Sequence, residues 1–253
     1  MTQQDSHRGE HMEVGNGPDT IRSARQLLSG RCQGVLATQS LEYPGYPFGS
    51  VLPYSIGRNG WPLILISHLA QHTRNLDTTP ACSLTVTAAG HGDIQKRARL
   101  SCLAAAEPLD KLDRGQAERH FRYFPESREY YEQLNFRFYQ LQPRRFYWIS
   151  GFGTARWIGT DRMQMDNPFP YAEEEEALEQ LNQRLTAKEK LAFSPLLAKF
   201  EVMDHDSPPQ AVGLDHDGLD LRQRDRLLRS PHFKKTENLI LKPIFKHCIT
   251  DSV

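Results

Sequence analysis

The stretch of the chain between residues 34 and 87 most constrains its fold, because four short apolar runs follow one another there with turn signals between them. The runs comprise residues 34–38, 49–56, 62–67 and 81–87. Each is rich in Val, Leu, Ile or Thr and is bounded by Gly, Pro, Asn or Asp, a pattern that is typical of β-strands. The Asn59-Gly60 pair between the second and third runs indicates a tight hairpin. This stretch therefore predicts four consecutive strands.

A polar insert, HLAQHTRNL, separates the third and fourth predicted strands. Its spacing suits a short helix between Leu69 and Leu76, whose first turn presents backbone N–H groups to an anion. Hydroxyl, guanidinium and amide donors stand at the same place, on Ser67, Thr73, Arg74 and Asn75. The alternative is that the threonine and the asparagine only cap the helix and that the arginine is a surface charge. His72 either reaches the ligand or packs at the surface.

Further elements flank this stretch. A helix is predicted between Asp19 and Gly30, where apolar residues recur on one helical face, with Asp19 or Thr20 as the cap and Gly30 just past the end. Residues 97–106 alternate as a fifth strand. Residues 110–134 carry two helical pieces that separate at Phe124-Pro125, because proline disfavours helix in the residue before it.

Aromatic residues alternate with polar ones in residues 135–142 and 145–149, which predicts two strands on either side of Pro143. Residues 151–157 then close the sheet. Six or seven strands with two close glycines suit a small barrel, because glycine permits sharp curvature. The chain is therefore expected to be mainly β with an α+β arrangement, a split β-barrel followed by a small αβ module.

That module begins after a proline-containing linker. Residues 173–193 are predicted to be a helix, and its acid run at residues 173–176 is interpreted as a solvated helix start, not as a metal site. Residues 199–203 and 211–214 are short strands, and Asp217-Gly218 is a turn. The predicted divisions are a disordered arm at 1–17, the barrel at 18–159, a linker at 160–171, and the module with a mobile tail at 172–253.

Composition excludes several classes of function. The chain has 253 residues, with 31 Lys plus Arg and 31 Asp plus Glu, so no net field attracts nucleic acid or an acidic membrane. Its four cysteines show no metal-site spacing, and it opens with polar residues, which predicts a cytoplasmic protein with free thiols and no membrane span. It contains no P-loop and no hydrolase elbow, so any catalysis is expected to belong to a cofactor.

Two Asp-His-Asp triplets, at residues 204–206 and 215–217, could suggest a metal site. Each lies where a predicted strand gives way to a turn, and alternate side chains of a strand point to opposite faces. Turn chemistry accounts for the second triplet. A metal site is therefore not expected at either triplet.

The order of motifs along the chain resembles a known superfamily. The segments LATQSLEYPGYPFGSVLPYSI, PLILISHLAQHTRNL and ACSLTV, with the later GFG-x-A, are similar to the FMN-binding split-barrel proteins of the pyridoxamine 5'-phosphate oxidase-like superfamily, and especially to their haem-utilisation branch. The resemblance covers roughly residues 19 to 230. It implies a homodimer with haem or FMN at the subunit interface.

The same resemblance suggests the site residues. A flavin phosphate or haem propionate is expected at Ser67, Thr73, Arg74 and Asn75, with His72 beside it and Ser50 facing the ring. Arg97 and Arg156 are possible contacts from the second subunit. The aromatic side chains Phe136, Phe138, Phe146 and Trp148 are expected to form a strand face consistent with the dimer.

The chain departs from the haem-utilisation branch at two places. Where those proteins carry H-M-N-x-D-H on the helix of the αβ module, this chain reads Gln180-Leu181-Asn182-Gln183-Arg184-Leu185. His247, near the end of the chain, is the remaining candidate for the haem iron ligand. Asn135 stands where relatives tend to have an acid before the F-x-x-Y stretch, and an amide can only hydrogen-bond.

Three functions follow from these observations. The leading hypothesis is a haem-utilisation-like protein that binds haem and degrades or stores it. The alternative is an FMN-dependent oxidoreductase, which the missing histidines favour. A third is a non-catalytic protein that keeps the fold for interaction only.

Overall fold

The computed structural model describes residues 17–111, 113–151, 154–186, 209–215, 217–224 and 226–231. Its helices are α1 (Pro18–Ser29), α2 (Gln71–Thr78), α3 (Arg114–Tyr123), α4 (Ser127–Gln133), α5 (Thr160–Met163) and α6 (Tyr171–Thr186). Its strands are β1 (Gln33–Gln39), β2 (Pro47–Pro53), β3 (Ser55–Ile56), β4 (Pro62–Ser67), β5 (Ala81–Thr87), β6 (Arg99–Pro108), β7 (Phe136–Gly151), β8 (Thr154–Ile158), β9 (Gln210–Asp215), β10 (Gly218–Gln223) and β11 (Arg226–Pro231).

Eight of these strands form one antiparallel sheet in the order β2-β1-β5-β6-β7-β4-β3, with β8 paired to β7. Strand β7 has 16 residues; its first part pairs with β4 and its last part with β8, while β6 runs along its other edge. Because one long strand serves two short partners in succession, the sheet curls around its own inner face. The expected split barrel is confirmed.

The inner face of the curled sheet carries the main core. Leu36, Leu84, Cys102, Phe146 and Ile158 lie opposite one another on successive strands and are all at most 1% exposed. Burial of such side chains is worth about 1.5–3 kcal/mol each. The alternation seen in the sequence thus points apolar side chains inwards.

The aromatic side chains of β7 were expected to form a face consistent with a dimer. Phe138, Phe146 and Trp148 are instead buried in the protomer, at 2%, 1% and 4% exposure. The prediction of an aromatic dimer face was therefore wrong for these three residues. Phe146 and Trp148 belong to the core inside the curl, whereas Phe138 lies on the opposite face of β7, beneath α3, because the extra residue at Arg144 reverses the alternation of the strand.

The sequence had suggested that Pro143 separates two strands. The structure shows that Pro143 does not break the aromatic strand. Strand β7 is continuous, and its pairing with β6 shifts where Leu103 faces Arg145 and Ala104 faces Pro143. The extra residue, Arg144, forms an irregularity of the kind that tolerates a proline without a ladder N–H. The two strands predicted for residues 135–142 and 145–149 are therefore parts of the single strand β7.

The helices agree with the sequence more closely. Helix α1 begins at Pro18, ahead of the expected caps Asp19 and Thr20, and Gly17 is the N-cap in place of a side-chain cap. The break at Phe124-Pro125 is confirmed, because α3 ends at Tyr123 and α4 starts at Ser127.

The C-terminal module has three antiparallel strands in the order β11-β10-β9, with α6 packed on one face. The core between them consists of Ala177, Leu178, Leu181, Leu185, Ala211, Leu214, Leu219 and Leu221 with Phe169. The linker segment 160–171 includes α5, and its Met163, Asn167 and Phe169 are buried. Asp215 Oδ1 accepts hydrogen bonds from the N–H groups of Asp217 and Gly218, which confirms the predicted turn.

Barrel and module meet through a buried ionic contact at α3. Glu174 is fully buried, its carboxylate pairs with Arg119 and Arg122, and Oε1 accepts from Leu214 N at 2.9 Å. The acid run at 173–176 is therefore solvated at three positions but not at this one. Glu174 shares the helical spacing of the apolar residues Ala177, Leu178 and Leu181, and this spacing is the signal that could have identified it.

A second polar contact lies beside the first. Tyr123 Oη donates to Asp220 Oδ2 at 2.5 Å, and Arg229 NH1 donates to the same carboxylate at 2.9 Å. Gly213 faces the tyrosine so closely that a Cβ there would stand 1.7 Å from its hydroxyl. The module therefore packs closely against α3.

Several expectations fall on parts of the chain that the structure leaves undescribed. These are residues 1–16 of the arm, the strand at 199–203, the triplet at 204–206, His216 and His247. Among the described helices none has the length and apolar character needed to cross a membrane. Within the described ranges, no three His, Cys, Asp or Glu side chains come together as metal ligands would.

Candidate functional site

Helix α2 connects the end of β4 to the start of β5 and packs over β1 and β2. Asn75 fixes the position of α2, because it is fully buried and both the nitrogen and the oxygen of its amide form hydrogen bonds. Its Nδ2 donates to Thr38 Oγ1 at 2.9 Å, while Oδ1 accepts from Leu41 N and Gln71 Nε2 at 3.0 Å each. This residue therefore ties the helix to β1 and to the loop that follows β1.

Thr73 has a comparable structural role. It is 1% exposed, and its hydroxyl donates to the carbonyl oxygen of Ser67 at 2.6 Å. The Ser67 hydroxyl accepts from Leu69 N at 3.2 Å and is itself half-buried at the end of β4. Thr73 and Asn75 shape the entry to the helix from inside, and a contact of either with a cofactor stays a prediction.

His72 is half-buried between α2 and β2. Its Nδ1 lies 3.1 Å from Ser50 Oγ, and Ser50 is on the same face of the sheet as Leu36. Burial lowers the pKa of the His72 imidazole below its usual value of 6.5. The ring is therefore uncharged at neutral pH, and the serine hydroxyl holds its orientation.

Arg74 is the cation of this region. It is exposed, and its guanidinium donates to the side chain of Gln71 one turn earlier on the helix. It forms no ion pair with any carboxylate in the described parts of the chain. The guanidinium thus keeps donors that are available to an anionic ligand.

The loop between β1 and β2 adds an apolar surface beside α2. Leu41, Tyr43 and Tyr46 are 50%, 65% and 70% exposed, and the Leu41 N–H bond to Asn75 joins the loop to the helix. Exposed aromatic residues clustered in one loop are unusual for a surface that contacts water only. Sequence reasoning passed over this loop, although its tyrosines in LEYPGYPF were the available signal.

Arg97 and Arg156 lie elsewhere in the protomer. Arg156 is opposite Trp148 in β8, and Trp148 is opposite Leu100, which is opposite Val86. Helix α2 meets the sheet at the Thr38 end, where Cys82 of β5 is the partner. Cys82 and Val86 are four residues apart in β5. The two positions are therefore separated by roughly 13 Å along this strand, at about 3.3 Å per residue. Arg97 precedes β6 at that distant end and donates to Gly92 O at 3.1 Å.

The structure therefore brings together six of the eight predicted cofactor residues and leaves two apart. Ser50, Ser67, His72, Thr73, Arg74 and Asn75 all lie in α2 or on the strands that it contacts. A role for the two distant arginines requires a second subunit.

Asn135, the position at which relatives tend to have an acid, has a structural explanation. Its φ is +59°, in the left-handed region that asparagine tolerates better than most residues. Its carbonyl oxygen lies 3.3 Å from His68 Nδ1, next to the start of α2. The left-handed backbone conformation therefore accounts for an asparagine at position 135.

The outer face of the barrel presents an apolar row. Val51, Val35, Thr85, Ser101, Tyr147 and Trp157 lie opposite one another on successive strands, and we call this set the outer row. Val51 is 75% exposed, Val35 45% and Trp157 42%. These residues, and not the buried aromatic face expected from the sequence, are available to a second subunit.

Comparisons with known proteins agree with this architecture. A family model described as "CREG, beta-barrel" matches residues 18–165. The chloroplastic haem oxygenase HOZ of Arabidopsis thaliana is 27% identical over 147 residues, which are 57% of this chain and 44% of that protein. The chain thus spans less than half of the length of this curated relative.

Two solved structures show the same fold. A protein of unknown function from Agrobacterium tumefaciens has a TM-score of 0.64 at 22% identity, over 92% of this chain and 97% of its own. A haem-binding protein from Mycobacterium smegmatis has a TM-score of 0.55 at 23% identity, over 90% and 94%. The likeness to both covers the barrel and extends into the C-terminal module.

Proposed function

Because this chain belongs to the CREG β-barrel family, we propose that it is a haem-binding, haem-oxygenase-like protein that works as a homodimer. One observation carries the proposal: an uncharged imidazole, His72, and an exposed guanidinium, Arg74, stand two residues apart in α2. The 27% identity to a haem oxygenase over 147 residues supports haem as the ligand.

The residues present fit this group. Haem iron is commonly held by a neutral histidine nitrogen, and burial keeps His72 neutral while Ser50 Oγ fixes its ring at 3.1 Å. Bound haem would supply redox-active iron, whereas the chain supplies the ligand, its orientation and a charge partner. Ser50 would act as a positioning residue, because its hydroxyl contacts the imidazole of His72.

The periphery of a haem needs a cation and an apolar surface. Arg74 is placed to receive a propionate, and Tyr43 and Tyr46 offer aromatic surface beside α2. An ion pair to an exposed arginine stays largely hydrated, so its contribution is about 1 kcal/mol, or about fivefold in affinity. Affinity is therefore expected to depend more on the imidazole and the apolar contacts than on this charge.

A second copy of the chain is proposed to cover the outer row. The row is continuous across six strands, and Val35, Val51 and Trp157 remain substantially exposed in the protomer. Burial of apolar area gives about 25 cal/mol per Å², which favours a partner over water. Arg97 and Arg156 would then belong to the part of the site that the second subunit completes.

The dimer is tested by measuring mass in solution with light scattering. Wild type is expected at twice the chain mass, and Val35→Glu at the chain mass, because a buried unpaired carboxylate opposes association. Leu134→Glu is the matched control, since Leu134 is also exposed but lies outside the row. A monomeric wild type, or an equal loss of dimer in the control, would contradict this part of the proposal.

An FMN-binding oxidoreductase is the second candidate, because the Ser67 hydroxyl and the Arg74 guanidinium suit a phosphate as well as a propionate. Absorption spectra separate the two functions. Flavin bands in the purified protein, with no Soret response to added hemin, support FMN. An intense Soret band on hemin addition supports haem, and neither response supports the non-catalytic interaction protein.

A further inference from the structure

A cleft of about 650 Å³ lies between the barrel and the C-terminal module. Among the described residues its walls include Leu52 and Pro53 from β2, Phe124 after α3, and Arg222 and Leu227 from the β10-β11 hairpin. We propose that this cleft binds an apolar carboxylate and that Arg222 receives its head group. The site is separate from α2 and does not depend on haem binding.

The floor of the cleft is closely packed. Tyr123 lines it, and the tyrosine hydroxyl is held by Asp220 at 2.5 Å, with Arg119 NH2 3.3 Å away. Gly213 permits this approach, because any side chain there would overlap the tyrosine. These contacts set the distance between the two walls within the protomer, and a preformed cleft loses less entropy on binding.

The position of Arg222 follows from strand alternation. Leu219 and Leu221 face α6 and belong to the module's core, so Asp220 and Arg222 point to the opposite side, towards the barrel. Leu227 is opposite Arg222 in β11 and shares that side. The LDLR sequence thus puts one carboxylate and one guanidinium in a row against the barrel.

Of the two charged groups, Asp220 and Arg222, only the carboxylate has its charge balanced within the described chain. Asp220 is paired with Arg229 at 2.9 Å. Among the described residues, the buried Arg222 Nε has no acceptor, and NH1 makes one bond of 3.3 Å to the carbonyl oxygen of Arg224. A guanidinium edge that is withdrawn from water but lacks an acceptor is destabilising, and an incoming carboxylate would supply the acceptor.

The rest of the cleft indicates the body of the ligand. Leu52, Phe124 and Leu227 give an apolar wall, and the exposed Glu126 and Arg224 at the lining contribute opposite charges. A volume of about 650 Å³ is in the range of about 300–1,000 Å³ in which small-molecule sites fall, and domain boundaries are favoured places for them. Apolar walls beside the Arg222 guanidinium fit an apolar molecule with one anionic end.

The experiment compares two fluorescent probes of similar shape on the full chain without added hemin. The anionic probe is 8-anilinonaphthalene-1-sulfonate, and the neutral probe is N-phenyl-1-naphthylamine. Arg222→Gln is expected to bind the anionic probe about tenfold more weakly than wild type, because one charge-assisted contact is lost. Its affinity for the neutral probe should equal that of wild type. Arg226→Gln is the matched control, because Arg226 is an exposed arginine of the same hairpin outside the lining.

Two further measurements make the result decisive. Decanoate is expected to displace the anionic probe from wild type, whereas decanol at the same concentration displaces it less. Leu227→Glu places a carboxylate in the wall, so it should repel the anionic probe but not the neutral one. Equal affinity of wild type and Arg222→Gln for the anionic probe, absence of saturable binding, or no displacement by decanoate would each overturn the proposal.

Discussion

The buried histidine His120 makes a prediction whose size follows from the structure. It is 1% exposed, its Nδ1 lies 2.8 Å from Ser55 Oγ, and its ring is surrounded by Phe121, Phe124 and Phe138. Burial lowers the pKa of the imidazole from 6.5 to about 3. The folded chain therefore keeps this ring neutral over a pH range in which the unfolded chain protonates it.

The direction of the effect follows from that difference. Because the folded-state pKa lies below the unfolded-state pKa, the stabilisation is complete above about pH 6.5 and is lost as the pH falls towards 3. Each pH unit in that window removes about 1.4 kcal/mol of the free energy of unfolding. Between pH 8 and pH 5 the loss from His120 alone is about 2 kcal/mol.

Urea unfolding at pH 8 and pH 5 checks this value. The double variant Ser55→Ala/His120→Phe removes the titrating group and its hydrogen-bond partner together, so no buried polar atom is left unpaired. Its pH-dependent loss should be about 2 kcal/mol smaller than that of wild type. Ser55→Ala alone keeps the histidine and should keep the pH dependence; identical losses in wild type and the double variant would refute the reasoning.

Three further predictions concern the folded framework, each measured as a free energy of urea unfolding. Glu174→Gln leaves two arginines without their buried carboxylate and should lose about 3–5 kcal/mol, whereas the exposed Glu175→Gln should change by less than about 0.5 kcal/mol; similar losses in both would contradict the buried contact. Asn75→Ala removes three hydrogen bonds from a fully buried amide and should lose about 2 kcal/mol or more, and an unchanged midpoint would count against its role in fixing α2. Gly213→Ala forces the hydroxyl of Tyr123 to move and should destabilise the chain, while wild-type stability would show that the contact is loose.

The fold could be predicted well from sequence because its signals are local. The runs that became β4 and β5 have the predicted boundaries, and the break between α3 and α4 falls at the predicted proline. Pro143 was misleading because a proline within a strand depends on the partner strand, and here the register shift in β6 absorbs it. Phe138 and Phe146 likewise point to opposite faces of β7 because of the extra residue at Arg144, and this irregularity depends on the pairing with β6.

The candidate site was predicted as a segment but not as a set of roles. The partners of Asn75 are Thr38 and Leu41, more than thirty residues away, so its structural use could not be recognised from the motif itself. The neutrality of His72 depends on packing between a helix and a distant strand. Arg222 could have been noticed as a charge alternating with leucines in a strand, but its missing partner is visible only in three dimensions.

The most direct test of the account is a hemin titration that compares two neighbouring histidines. His72 is half-buried and held by Ser50, whereas His68 is exposed at the end of β4 and serves as the matched control. Wild type and His68→Ala are expected to give the same saturable Soret band with one hemin per subunit, and His72→Ala a shifted band with at least tenfold weaker binding. A His72→Ala variant with an unaltered Soret band and unaltered affinity would contradict the placement of haem at α2.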